Sequence, residues 1–314
     1  MVGGTSRRYF GFGAVRVDPY DDAVLKLVLP KGSLEKATLE LFSQADLPVK
    51  RDSAVTYKAT VADPRIESVR ILRPQEISGY VAEGLFDIGI CGRDWVEETS
   101  SKVESLGELA YSKATSNPVR IVVAVPADSP WQSVADLPAG VRVSSEYPNL
   151  TERYFAERGV RADIRLSYGA TEAKVPDIVD VVVDITETGS ALRAAGLRII
   201  DTILTSYTEV VANPESFADD TKRHAMEQIM TLLQGVLEAR GKVLMKLNVA
   251  SEHLDAVIAK LPALKTPTVN ELYGHDGFAV ETVVSKSDIN ILIPELKDAG
   301  ATGIIELPLS KIVH

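Results

Sequence analysis

The stretch Glu172-Ala-Lys-Val-Pro176-Asp-Ile-Val-Asp180-Val-Val-Val-Asp184-Ile-Thr186-Glu187-Thr188-Gly189-Ser190-Ala191-Leu192, closed by Gly196-Leu197, decides how this chain is read. Residues 181–185 are a short apolar, β-branched run, the composition of a buried parallel strand. Residues 186–190 are small and polar with one glycine, which predicts a tight loop. Residues 191–195 have helix-forming composition, and Gly196 can end that helix. Strand, hydroxyl-and-glycine loop and helix start together make a phosphate cradle, because the first N–H groups of a helix are free and its dipole favours an anion. Gly189 lets the backbone approach that anion, and Thr186, Thr188 and Ser190 offer hydroxyl donors. Asp184 closes the strand just before the cradle, where a carboxylate can accept from sugar hydroxyls or hold a metal carried by a phosphate. Joints of this kind are common and most bind nothing, so the phosphate reading depends on the rest of the chain.

The 314 residues are long for one core and predict two or three domains. A net charge of −10 argues against a general nucleic-acid surface, so an anionic ligand needs a local basic pocket. The single cysteine, Cys91, excludes an internal disulfide and a cysteine-built metal site. The four histidines have no metal-ligand spacing. No apolar run reaches membrane-spanning length and no signal peptide is visible, so the expected compartment is the cytoplasm, with no membrane partner.

Residues 1–22 are Gly-rich, lack a helical or strand period, and are expected to form a flexible extension. Residues 24–29 read as the first strand, followed by the turn Pro30-Lys31-Gly32-Ser33, with Ser33 expected to cap a helix over 34–45. Ligands of open α/β sheets lie outside the carboxyl ends of the strands, which makes Lys31 and Gly32 candidates for an anionic substrate. Strands at 69–72 and 87–91 flank a helix at 76–84. Arg73, just past the first of these strands, has the fork geometry that suits phosphate. Asp94 follows Gly92 at the end of the second, where a polar group can face a cleft. A second set of units starts with a strand at 119–126 and continues with a strand at 141–144 and the segment Glu146-Tyr147-Pro148-Asn149-Leu150-Thr151. A helix over 152–158, capped by Asn149 or Thr151, and a strand at 163–167 complete it. Residues 198–204 read as the strand with which the chain crosses back to the first lobe, and 221–239 as a long amphipathic connector. Beyond it, strands at 243–249, 268–273, 278–284 and 303–307 alternate with helices at 253–261 and 288–299. That order, βαββαβ, is the ferredoxin-like set, and no catalytic constellation appears in it.

These segments, in this order, resemble those of the ATP phosphoribosyltransferases, the enzymes of the first step of histidine biosynthesis. In that family a Glu, a Pro and two Asp flanking a Val/Ile run precede Thr-Gly-x-(Ser/Thr)-Leu and a closing Gly-Leu. Here these are Glu172, Pro176, Asp180, Asp184, Thr188, Gly189, Leu192, Gly196 and Leu197. Ala191 stands where the family usually has a hydroxyl, and the spacer between Glu172 and Asp180 departs from the commonest form. The turn at Lys31-Gly32, the Arg73-x-x-Glu76-Ile77 and Gly89-Ile90-x-Gly92-x-Asp94 segments, and Tyr147-Pro148-Asn149-Leu150-Thr151 are similar to family segments too.

The resemblance implies a two-lobed α/β catalytic part, like a type II periplasmic binding protein, with a C-terminal ferredoxin-like regulatory domain. Lobe I is expected over 23–112 and 200–220, lobe II over 113–199 and the regulatory domain over 221–314, with a histidine site somewhere in 242–314. It implies the long form of the enzyme, in which a ring nitrogen of ATP's adenine displaces pyrophosphate from phosphoribosyl pyrophosphate. Mg²⁺ would arrive on the pyrophosphate, histidine would inhibit, and the chain would assemble as a homo-oligomer, a dimer or a hexamer. The 5′-phosphate is assigned to Thr186, Glu187, Thr188, Gly189, Ser190 and Ala191, and the ribose hydroxyls to Asp184, with Glu172 beside it. Lys31 and Arg73 are assigned to phosphates, Gly32 to substrate binding beside Lys31, and Asp94 and Glu146 to orientation in the cleft. The rival reading, of another class, is a two-lobed small-molecule binding or regulatory protein without catalysis. The missing signal peptide and the Thr-Gly loop speak against it, and pyrophosphate release from ATP plus phosphoribosyl pyrophosphate separates the two.

Overall fold

The apolar strand runs pair into three sheets, each covered by its own buried cluster. The computed structural model describes residues 24–53, 56–111, 117–262, 266–274 and 276–314, so the extension expected over 1–22 lies outside the described residues. The first lobe begins with β1 (Leu25–Pro30), α1 (Glu35–Gln44), β2 (Lys58–Ala59), β3 (Ile66–Leu72) and α2 (Pro74–Ala82). It continues with β4 (Ile88–Gly92), α3 (Arg93–Thr99) and β5 (Glu104–Leu109). β1 runs parallel to β3 on one side and β4 on the other, and its near-continuous burial is that of a central parallel strand. The second lobe contains β6 (Val119–Pro126), β7 (Val141–Ser145), α4 (Pro148–Glu157), β8 (Ala162–Leu166), β9 (Val181–Thr186), α5 (Ser190–Ala194) and β10 (Leu197–Ser206). Its sheet has the order β10-β6-β9-β7-β8.

β11 (Thr208–Ala212) then enters the first sheet antiparallel to β4 and β5, giving the order β2-β3-β1-β4-β11-β5. The chain thus passes between the lobes twice, once between β5 and β6 and once at Tyr207. This is the two-lobed type II periplasmic-binding-protein arrangement expected from the sequence. The crossing itself falls later than expected. The run at 198–204 is part of β10, the edge strand of the second sheet, and the return to the first sheet is β11, which the sequence reading did not separate from it. β9 is parallel to β7 only. Toward β6 it is antiparallel, because β6 enters the lobe from the first crossing in the opposite direction.

α6 (Pro214–Ala218) leads into α7 (Asp220–Ala239), which the Asp219 carboxylate caps by accepting from Thr221 N at 2.9 Å and Lys222 N at 3.0 Å. A cap of this kind contributes about 1 kcal/mol. The stripe Ala225, Met226, Ile229, Met230, Leu233 and Val236 on α7 packs into the first lobe's core, although the expected regulatory domain starts at 221. The chain then forms β12 (Lys242–Val249), α8 (Leu254–Ile258), β13 (Thr268–Glu271), β14 (Phe278–Ser285), α9 (Ile289–Asp298) and β15 (Ala301–Pro308). The antiparallel order β13-β14-β12-β15, with Val257, Ile289, Leu292 and Leu296 over one face, is the ferredoxin-like unit. No helix among the described residues is long and apolar enough to cross a membrane.

Two expected caps are replaced. Ser33 does not cap α1; Leu34 occupies that position, and Glu35 N donates to Gly32 O at 3.1 Å, with Gly32 at φ +91°. α4 starts at Pro148, four residues earlier than expected, so Asn149 and Thr151 lie inside its first turn. Proline is pre-set for the first position of a helix, where its missing N–H costs nothing.

Candidate active site

A cleft of about 640 Å³ lies between the lobes, within the size range of small-ligand sites. The first lobe contributes the turn after β1 with Lys31 and Gly32, the start of α2 with Arg73, and the β4–α3 junction with Gly92 and Asp94. The second contributes Glu146 and Tyr147 after β7, and Ile185, Thr186 and Glu187 at the end of β9. These are carboxyl ends of strands, as the rule for open sheets requires. Seven expected site residues therefore line one cavity: Lys31, Gly32, Arg73, Asp94, Glu146, Thr186 and Glu187. Glu172, Asp184, Thr188, Gly189, Ser190 and Ala191 are not part of its lining.

Asp94 is the most tightly held group of the cleft, with 3% exposure. Its Oδ2 accepts from Tyr147 Oη at 2.8 Å and its Oδ1 from Ser206 Oγ at 2.6 Å, while its own N–H donates to Ser206 Oγ at 3.0 Å. Burial pushes its pKa up, and the hydrogen bonds from Ser206 and Tyr147 oppose that. Gly92 is required here: a Cβ at that position would stand 2.0 Å from Asp94 Oδ1. Trp95 packs beside Tyr147 with ring centroids 4.7 Å apart. Lys31 Nζ lies 4.1 Å from the centre of the Tyr57 ring, an orientation that keeps the ammonium at the cleft wall.

On the second lobe a group of charges surrounds the end of β9. Burial raises Asp184 to about 6; the hydrogen bond from Ile185 N opposes this, Glu172 and Glu146 push further up, and Lys174 pulls down. Burial also raises Glu146, against Lys174. Lys174 sits in the short 3₁₀ turn Thr171–Lys174 and donates to Ser167 Oγ and, at 3.4 Å, to Ser144 Oγ. The loop after β9 is tied by its own hydroxyls. Thr186 Oγ1 accepts from Gly189 N at 2.8 Å, Thr188 Oγ donates to Ser190 Oγ at 3.0 Å, and Arg193 Nη1 donates to Thr188 O at 3.0 Å. Gly189 has φ +74°. Asp180, by contrast, faces away from this chemistry: it clamps Arg142 through Nη2 at 2.6 Å, Nε at 3.1 Å and the backbone N at 2.9 Å.

Sequence reasoning missed Tyr147, Ser206, Trp95 and Lys174. Tyr147 enters the sequence reading within a family-like segment but with no role of its own, and Ser206 is a small residue with no signal of its own. Trp95 lies on α3, whose residues past Asp94 the sequence reading leaves unassigned, although an acid at its first turn and the apolar Trp95 and Val96 mark a helix. Among the described residues no group of three or more His, Cys, Asp or Glu is placed to hold a metal.

Comparison with known proteins bears on the fold and the family. A family model described as ATP phosphoribosyltransferase matches residues 73–235, and one described as the HisG C-terminal domain matches residues 239–311. An ATP phosphoribosyltransferase of Pelotomaculum thermopropionicum is 47% identical over 291 residues, covering 92% of this chain and 99% of the relative. Those of Desulforudis audaxviator (45% over 289 residues, 92% and 99%) and Chlorobium phaeobacteroides (44% over 290 residues, 92% and 98%) are similar to the same extent. Among solved structures, the ATP phosphoribosyl transferase (HisG:HisZ) complex from Thermotoga maritima contains a chain 30% identical, with a TM-score of 0.58, over 68% of this chain and 98% of that one. With a two-lobed fold, an inter-lobe cleft, and relatives matched from the first lobe to the C-terminal unit, the chain belongs to the ATP phosphoribosyltransferase family, in its long form.

Proposed function

We propose that the inter-lobe cleft is where this chain transfers phosphoribosyl from phosphoribosyl pyrophosphate to the adenine ring of ATP, releasing pyrophosphate. The observation that carries this reading is the convergence of Lys31 and Arg73 with Asp94, Glu146, Thr186 and Glu187 in one cleft beside the Gly189 loop. The attacking adenine nitrogen already has a lone pair, so no strong general base is needed. The requirements are alignment, stabilisation of oxocarbenium-like charge, neutralisation of the leaving pyrophosphate and exclusion of water. The loop from Thr186 to Ala191 takes the 5′-phosphate; the Thr188 and Ser190 hydroxyls, which bond one another in this structure, turn to the ligand. Asp184 and Glu172 accept from the ribose hydroxyls. Lys31 and Arg73 take phosphate oxygens, and Asp94 and Glu146 fix the orientation of the bound substrates.

Because no group of three or more carboxylates among the described residues is placed to hold a metal, the Mg²⁺ of this reading enters on the pyrophosphate and keeps phosphate and water ligands. Such an ion supplies charge neutralisation at the leaving group. We infer further that histidine binds within residues 242–314 and inhibits, and that the chain assembles as a homo-oligomer. The test is pyrophosphate release from ATP plus phosphoribosyl pyrophosphate, with and without histidine. Release that histidine suppresses is expected; no release with both substrates at saturation would leave a binding protein.

A further inference from the structure

The first turn of α4 is completed by the opposite lobe. A helix leaves its first N–H groups without intrahelical partners, and they are normally met by a local side chain. α4 has no acid in its first turn and no side-chain cap of its own. Instead Glu98, on α3 of the first lobe, accepts from Asn149 N through Oε1 at 3.0 Å and from Leu150 N through Oε2 at 2.8 Å. Glu98 is only 6% exposed. Around it, Asn149 Nδ2 donates to Glu98 O at 3.4 Å, and Arg153 of α4 donates to Glu97 O and to Ser100 Oγ, the latter at 3.3 Å. One turn earlier on α3, Asp94 holds Tyr147, the residue at the cap position of α4. Positions four apart lie on one face of a helix, so Asp94 and Glu98 present two carboxylates to one helix start.

Separating α3 from α4 would break both hydrogen bonds to the Glu98 carboxylate, and bonds to a charged acceptor are among the stronger ones. The α3–α4 contact is thus a tied joint between the lobes. It also sets the cleft walls, since Glu146 and Tyr147 immediately precede α4 and line the cavity with Asp94. Taking the cleft as the site of phosphoribosyl transfer, we propose that Glu98 is a positioning residue: by capping α4 from the other lobe it makes the α3–α4 contact the fixed pivot about which the lobes close, and so holds Glu146 and Tyr147 in register with Asp94.

The test compares the wild type with Glu98→Ala and the isosteric Glu98→Gln, which keeps one acceptor oxygen. Spin labels at Glu83→Cys in the first lobe and Asp128→Cys in the second, both exposed positions, report the inter-lobe distance. The native Cys91 is buried and does not compete for label. For Glu98→Ala the expected result is a broadened distance distribution and a kcat lower by about tenfold or more, since small misplacements of reacting groups are that costly. Binding of phosphoribosyl pyrophosphate alone, which engages the second lobe, should change by about twofold or less, and Glu98→Gln should fall between the two on each measure. A lower melting temperature with wild-type kcat, KM and distance distribution in both variants overturns the proposal and leaves Glu98 a purely structural cap. If the alanine chain does not fold, the glutamine variant decides by the same criteria. The distance measurement needs no turnover, so the pivot and the assigned reaction can fail separately.

Discussion

Asp184 illustrates how one position carries opposed demands. Burial holds its pKa at about 6 in the folded chain, above the usual carboxylate range. The folded state therefore binds this proton more tightly than the unfolded one. The stabilisation that follows is complete below the ordinary carboxylate pKa and is lost as pH rises through about 6. The proposed role needs the other form, because only the carboxylate accepts from two ribose hydroxyls. We expect kcat/KM for phosphoribosyl pyrophosphate to fall below pH about 6 in the wild type, and this acid limb to vanish in Asp184→Asn. At pH 8 that variant should lose about 1.5–3 kcal/mol of transition-state stabilisation, the worth of a hydrogen bond to a charged group, yet melt no lower than the wild type. Unchanged kinetics in the folded variant would remove Asp184 from the site.

At the scale of elements, the loop between β9 and α5 works through backbone shape. α5 has only five residues, so its dipole is small, and the positive φ of Gly189 is what turns the chain. A Cβ there would meet Arg193 Nη1 at 3.0 Å and Ile199 Cδ1 at 3.2 Å, besides the strain of the left-handed region. Gly189→Val should therefore abolish calorimetric binding of phosphoribosyl pyrophosphate while the sheet of the second lobe persists. Wild-type affinity in this variant would mean that the loop is a turn and nothing more. β9 itself is anchored from its other end by the Asp180–Arg142 pair. The pair is partly exposed, so it contributes modestly to stability. Its location explains why an acid precedes the strand without taking part in the chemistry.

For the whole molecule, the question is how the C-terminal unit reaches the cleft. Its core is separate from those of the lobes, and α7, which precedes it, is packed into the first lobe. The chain end also returns: Ile312 N donates to Gly235 O at 2.9 Å, and Lys311 pairs with Asp46. Deleting residues 242–314 should spare pyrophosphate release and remove inhibition by histidine, at a coupling of about 1–3 kcal/mol in the intact chain. The deletion uncovers the face of α7 around Gly235, so activities should be compared at equal oligomeric state. A soluble, correctly assembled truncation that histidine still inhibits as strongly would place the inhibitor in the cleft.

The sequence alone determined the elements whose signals are local. Near-continuous apolar runs such as 119–126 mark buried strands, the βαββαβ order marks the C-terminal unit, and the Thr-Gly run after Asp184 marks the turn between β9 and α5, because periodicity and turn chemistry act over a few residues. Short elements escaped it: α3 has seven residues and β11 five, too few to show a period against their neighbours. Only the tertiary structure decided which groups meet across the lobes. Asp94 finds Tyr147 and Ser206 at separations of 53 and 112 positions, and Glu98 completes a helix 51 positions away. Such contacts are set by how the two sheets lie against each other where the chain passes between them, as at Tyr207, and no local pattern of residues encodes that geometry.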